Sequence, residues 1–124
     1  MTDAQTRPVT LLVAALGGEG GGVLTDWVVA AAHAAGYPVQ ATSIPGVAQR
    51  TGATTYYMEI WPEPTSALNG KRPVFALAPA QGEVDIVAAT ELLEAGRCIM
   101  NGYVTPDRTH LIASTHRTYT TLEK

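Results

Sequence analysis

Apolar residues along the chain cluster in short runs between glycine, proline and polar breaks. Residues 9–16 hold the unbroken run Leu11-Leu12-Val13-Ala14-Ala15-Leu16, which predicts a strand buried on both faces. Five glycines within residues 17–22 then predict a loop. A helix follows over 23–35. Val23, Leu24, Trp27, Val28 and Ala31 share one face of it, and that face is the one expected to be buried. Gly36 suits the position after a helix end, and Tyr37-Pro38 turns the chain into a strand at 38–43.

Residues 44–52 read as a second loop, from Pro45-Gly46 and the flanking Gly52. A strand is expected over 53–61, with Tyr56, Met58 and Ile60 on one face and Tyr57, Glu59 and Trp61 on the other. Pro62 and Pro64 end it, and Asn69-Gly70 marks a turn in an exposed loop. Val74-Phe75-Ala76-Leu77 reads as an edge strand or a helix-capping piece, and 78–82 as a linker. Residues 85–89 predict another buried strand. Thr90 is the expected N-cap of a helix running to about Asn101, closed by Gly102, with Glu91 and Glu94 near its positive end. A last strand is expected over 109–114, with no helix after it.

Strand, glycine loop and helix make the first half of a βαβ unit. The whole pattern predicts an α/β fold: a three-layer Rossmann-like domain with a mostly parallel sheet, truncated at its C-terminus. Residues 1–8 read as a flexible lead-in and 9–124 as the domain.

Composition narrows the function. Only 15% of the residues are charged, against about 25% in ordinary domains. So few charges suggest a surface partly covered by a partner. A net charge of −3 with scattered basic residues argues against nucleic acid as that partner. No apolar run is long enough to span a membrane and the N-terminus carries no secretory segment, so a cytoplasmic protein is expected. One cysteine, Cys98, leaves neither an internal disulfide nor a cluster held by this chain alone. It reads as a small buried helix residue.

Two loops hold the candidate chemistry. Gly17, Gly18, Glu19, Gly20, Gly21 and Gly22 allow close approach to the backbone, and free N–H groups at the helix start suit an anion. The dinucleotide fingerprint is incomplete: Gly18-x-Gly20-x-x-Val23 lacks the third glycine, and 39–44 carries no acid for a ribose. Tight helix–sheet packing is the competing reason for these glycines. Gln49 and Arg50 close the second loop, where the arginine fork suits a carboxylate or phosphate. His33, His110 and His116 lie far apart, with no metal-ligand spacing. No catalytic residue and no metal ligand is expected from these residues. By this reading alone, a stand-alone nucleotide- or phosphate-binding module remains an alternative.

Three motifs taken together carry a resemblance. Ala15-Leu16-Gly17-Gly18-Glu19-Gly20-Gly21 is similar to Gly-x-Gly-Gly-Gln-Gly-Gly. Gly46-Val47-Ala48-Gln49-Arg50-Thr51-Gly52 is similar to Gly-Met-Ala/Ser-Gln-Arg-Gly-Gly. Thr90-Glu91-Leu92-Leu93-Glu94-Ala95, after a buried strand, is similar to Glu-Leu-x-Glu-Ala. In this order they resemble the gamma-type domain of the 2-oxoacid:ferredoxin oxidoreductases, and residues 109–117 resemble its indolepyruvate branch. Ala15, Glu19 and Thr51 depart from the family pattern.

The resemblance implies a non-thiamine-binding subunit or domain of an enzyme that decarboxylates an arylpyruvate oxidatively to an acyl-CoA. It implies that this chain holds no cofactor. Thiamine diphosphate, magnesium and 4Fe-4S clusters would sit on a large partner subunit, with ferredoxin and coenzyme A met through the complex. The glycine loop, Gln49 and Arg50 would then make ligand or interface contacts.

Overall fold

The structure is a computed structural model and describes residues 6–16, 20–45 and 53–115. Its elements are β1 (Val9–Leu16), α1 (Gly21–Ala34), β2 (Val39–Pro45), β3 (Ala53–Ile60), β4 (Ile86–Ala89), α2 (Leu92–Met100) and β5 (His110–Ala113). The strands form one sheet in the order β2-β3-β1-β4-β5. β1 pairs parallel with β4, and β4 parallel with β5. β3 runs against both β1 and β2, so four strands point one way and β3 alone points back. The fold is α/β and Rossmann-like, as the pattern predicts.

β1 explains why an apolar run is needed there. Leu12, Val13, Ala14 and Ala15 are all buried, although neighbours along a strand point to opposite faces. Leu12 and Ala14 pack with Tyr57, Val87, Ala89 and the α2 residues Ala95 and Cys98. Ala15 and Tyr56 lie under the start of α1. The two helices therefore cover opposite faces, giving three layers. Burial of Cys98, with the nearby Glu94 charge, pushes its thiol up to about 11.

Two local expectations are corrected. The buried side of α1 is Gly21, Thr25 and Ala32, with Val28 half-buried. Val23, Leu24, Trp27 and Ala31 are exposed, Trp27 by 68%. The helix lies so close to the sheet that small residues are selected on the inner face, and the large ones turn outward. At α2, the N-cap is Glu91 and not Thr90. Glu91 has extended backbone, and its carboxylate accepts the Glu94 N–H at 2.9 Å.

Val74–Leu77 forms neither strand nor helix. It is instead tied down across the sheet. The Ala76 N–H donates to buried Glu59 at 2.9 Å, and the Thr42 hydroxyl to Leu77 O at 2.8 Å. The Tyr57 hydroxyl also donates to Glu59. Burial, that hydrogen bond and the surrounding carboxylates push the Tyr57 pKa well above its usual value.

Asp85 locks the lower end of β1 to the start of β4. It accepts from the Thr10 N–H at 2.9 Å and pairs with Arg7 at 2.7 Å, while its own N–H donates to the Thr10 hydroxyl at 2.8 Å. Burial alone would raise the Asp85 carboxyl, but the Thr10 and Arg7 hydrogen bonds outweigh it and hold the pKa below 3.8. Such a lowered group stabilises the fold at pH values above its unfolded pKa. That contribution is lost as the pH falls through the lower folded value. Asp85→Asn is expected to cost on the order of 1–2 kcal/mol near neutral pH. It should also flatten the acid limb of the stability curve, measured by urea unfolding between pH 7 and pH 2.5.

Candidate functional site at the carboxyl ends of the parallel strands

The chain leaves β1 through α1 towards β2 on one side of the sheet. It leaves β4 through α2 towards β5 on the other. The carboxyl ends of β1 and β4 thus flank the point where the winding reverses. Open α/β sheets bind ligands at such a crevice. The ladder continues to its rim, where the Thr90 N–H donates to Ala14 O at 3.0 Å.

Three of the predicted site residues are described. Gly20 is the N-cap of α1 with φ 83°, a left-handed conformation that favours glycine, and no side chain caps the helix. A Cβ at Gly20 would meet nothing within 4 Å. Gly21 is different, since a Cβ there would come within 2.6 Å of Ala15 Cβ and 2.9 Å of Tyr56 Cε1. Gly22 is looser, with the Tyr56 hydroxyl at 3.4 Å from a built Cβ. Close packing therefore accounts for Gly21, and the turn conformation accounts for Gly20. Gly17, Gly18, Glu19, Gln49 and Arg50 lie outside the described residues. The flanks of the second loop do reach this end: Ala53 pairs with Leu16, and Pro45 with Thr54.

Sequence reasoning missed what else stands at this end of the sheet. Tyr56 sits against the glycine turn. Glu91 and Glu94 are both buried, at 0% and 3% exposure. Their burial is possible because they stand at the start of α2, where backbone N–H groups and the helix dipole favour negative charge. Arg97 also lies 3.5 Å from Glu94. The Glu-Leu-x-Glu-Ala motif held the signal, but a capping role explains acids there without burial. This end of the sheet thus carries the bare start of α1 with the Tyr56 phenol against it on one face, and the carboxylate-capped start of α2 on the other. Among the described residues, no three His, Cys, Asp or Glu side chains gather to hold a metal.

A family model for pyruvate ferredoxin/flavodoxin oxidoreductase matches residues 10–122, which include the glycine turn, Gln49-Arg50 and the α2 motif. The chain belongs to this family. The three-motif resemblance is therefore correct at the level of family. A search of curated proteins finds no match. Among solved structures, this oxidoreductase-family chain is similar to a 2-oxoglutarate:ferredoxin oxidoreductase from Magnetococcus marinus with 2-oxoglutarate, coenzyme A and succinyl-CoA bound. The TM-score is 0.67 at 15% identity, which shows a shared fold. The match covers 97% of this chain but 19% of that one, so this chain spans about a fifth of its length.

The glycine turn gives a direct test. Gly21→Ala forces a methyl group against β1 and is expected to destabilise by about 1–3 kcal/mol. Gly22→Ala meets only the end of the Tyr56 side chain and is expected to be neutral or to stabilise by up to about 1 kcal/mol. Denaturant midpoints of the two variants check the contrast.

Proposed function

We propose that this chain is the non-thiamine-binding component of a 2-oxoacid:ferredoxin oxidoreductase, and that its 2-oxoacid is an arylpyruvate such as indolepyruvate. The reaction takes a 2-oxoacid anion, coenzyme A and two oxidised ferredoxins to an acyl-CoA, carbon dioxide, two reduced ferredoxins and a proton. The family match over residues 10–122 carries this reading. The arylpyruvate rests on the resemblance of residues 109–117.

Thiamine diphosphate, when bound by a large partner subunit, supplies the carbanion chemistry of decarboxylation. The single, buried Cys98 cannot ligate a cluster that needs several thiolates, so 4Fe-4S centres fall to that partner as well. The exposed apolar side of α1, with Val23, Leu24 and Trp27, supports a covered surface beside the glycine turn. In this reading the chain's own residues shape and close a site completed from outside. Backbone N–H groups at Gly20–Gly22 would meet the ligand or the partner, and the family motif assigns Gln49 and Arg50 to the same contact.

The test is co-expression with a thiamine-diphosphate, 4Fe-4S large subunit. A stable complex should reduce benzyl viologen with an arylpyruvate and coenzyme A, and more slowly with pyruvate or 2-oxoglutarate. Faster turnover of 2-oxoglutarate would overturn the arylpyruvate. No complex and no activity with any 2-oxoacid would remove the whole proposal.

A further inference from the structure

Residues 61–85 link β3 to β4 with only a 3-10 turn at Thr65–Ala67 as regular structure. Connections in compact domains have a median of about 4–6 residues, and those beyond about 12–15 are usually functional or disordered. This one is held in place along its length. The Trp61 N–H donates to Pro38 O at 2.9 Å, and the Thr65 N–H to Gly36 O at 2.8 Å. Further on, buried Glu59 and Thr42 hold 76–77. Between these anchors, Asn69 and Gly70 adopt positive φ, 53° and 81°, and reverse the chain.

The reversal returns Lys71 and Arg72 to Trp61. The result is an open cleft of about 260 Å³ lined by Trp61, Glu63, Leu68, Lys71, Arg72 and Pro73. Its polar groups are unevenly engaged. The Trp61 Nε1–H donates to Glu63 at 3.2 Å, so that carboxylate is partly occupied. Among the described residues, Arg7, Arg97 and Arg108 all pair with carboxylates, whereas Lys71 and Arg72 pair with none. Two adjacent cations with no carboxylate partner among the described residues, beside an indole, stand out on a chain of net charge −3. The cleft lies at the amino ends of the parallel strands, opposite the glycine turn, because β3 runs backwards and Trp61 follows its end.

We propose that this cleft binds a small ligand made of a flat ring and one anionic group, a phosphate or a carboxylate. The ring lies against Trp61, Leu68 and Pro73, which offer an aromatic face and apolar walls. The anion meets Arg72 and Lys71, where a guanidinium fork and an ammonium give charge-assisted hydrogen bonds. Volume sets the upper size. Pockets for drug-sized ligands span about 300–1,000 Å³, so this cleft takes a ring with its anion and leaves a dinucleotide mostly outside. The proposal is independent of the oxidoreductase reading, because it uses other residues at the other end of the sheet.

The test follows the indole N–H signals of the two tryptophans in the 15N-labelled full chain. Trp27→Phe, at an exposed position, identifies the Trp61 signal. Adenosine 5′-monophosphate and indole-3-acetate are titrated in parallel, with adenosine and inorganic phosphate as the separate halves. At least one ring–anion probe is expected to shift Trp61 saturably at sub-millimolar concentration while the Trp27 signal stays still. Whether the monophosphate or the acetate does so distinguishes phosphate from carboxylate. Each half alone should bind at least about tenfold more weakly, as should the doubly neutralised Lys71→Gln, Arg72→Gln chain. Three results would overturn the site: no saturable shift with either ring–anion probe, unchanged affinity in the double variant, or inorganic phosphate binding as tightly as the monophosphate.

Discussion

The contact between small residues on β1 and the two helix starts sets the geometry of everything else. Ala14 and Ala15 are neighbours in sequence and point to opposite faces, and both are buried. On one face, Ala15 leaves room for Gly21, which has no Cβ to clash with it. On the other, Ala14 joins Ala89, Ala95 and Cys98 beneath α2. A larger side chain at either position would lift a helix away from the carboxyl end of β1. Small residues therefore bring the α1 and α2 starts together at the place where the winding reverses. The same choice that packs the core aims two helix N-termini at one crevice.

This constraint also explains what the sequence hid. Strands were legible wherever burial on two faces made an unbroken apolar run, as in β1, or an apolar pattern on both faces, as in β3. The inner face of α1 was not, because close packing puts Gly21, Thr25 and Ala32 inside. A reading weighted by side-chain size follows Val23, Leu24 and Trp27 to the wrong side. The α2 cap was misread by one residue for a related reason. Threonine is the commoner cap, but Glu91 in extended backbone can reach the Glu94 N–H as well. The family was legible because three motifs in order are far more specific than a glycine loop. The half of the candidate site that includes Gln49 and Arg50 rests on those motifs, since these two residues lie outside the described ones.

Side chains displaced from the inner face of α1 do not vanish from the energetics. Trp27, Val23 and Leu24 expose apolar surface next to the glycine turn. A scattered apolar residue on a surface is ordinary, but a contiguous group on one helix favours being covered. The chain's low charge density acts in the same direction, since few charges compete for water on that surface. Among the described residues, no helix is long and apolar enough to cross a membrane.

The two ends of the sheet differ in how their polar groups are made. At the carboxyl ends, charge is supplied by backbone and by buried acids: Gly20 to Gly22 offer N–H groups, and Glu91 and Glu94 sit at a helix start. Groups of this kind are fixed by the fold and cannot swing aside, which suits a site that must be pre-positioned. At the amino ends, charge is supplied by the exposed side chains Lys71 and Arg72 on a loop pinned at its flanks. Their long side chains adjust to what arrives, at an entropic cost on ordering of up to about 2 kcal/mol each. Arg7, Arg97 and Arg108 lie beside acids, whereas among the described residues Lys71 and Arg72 do not, so their charged heads stay in water until an anion arrives. Their unpaired state makes sense if the anion they lack comes from outside the described chain.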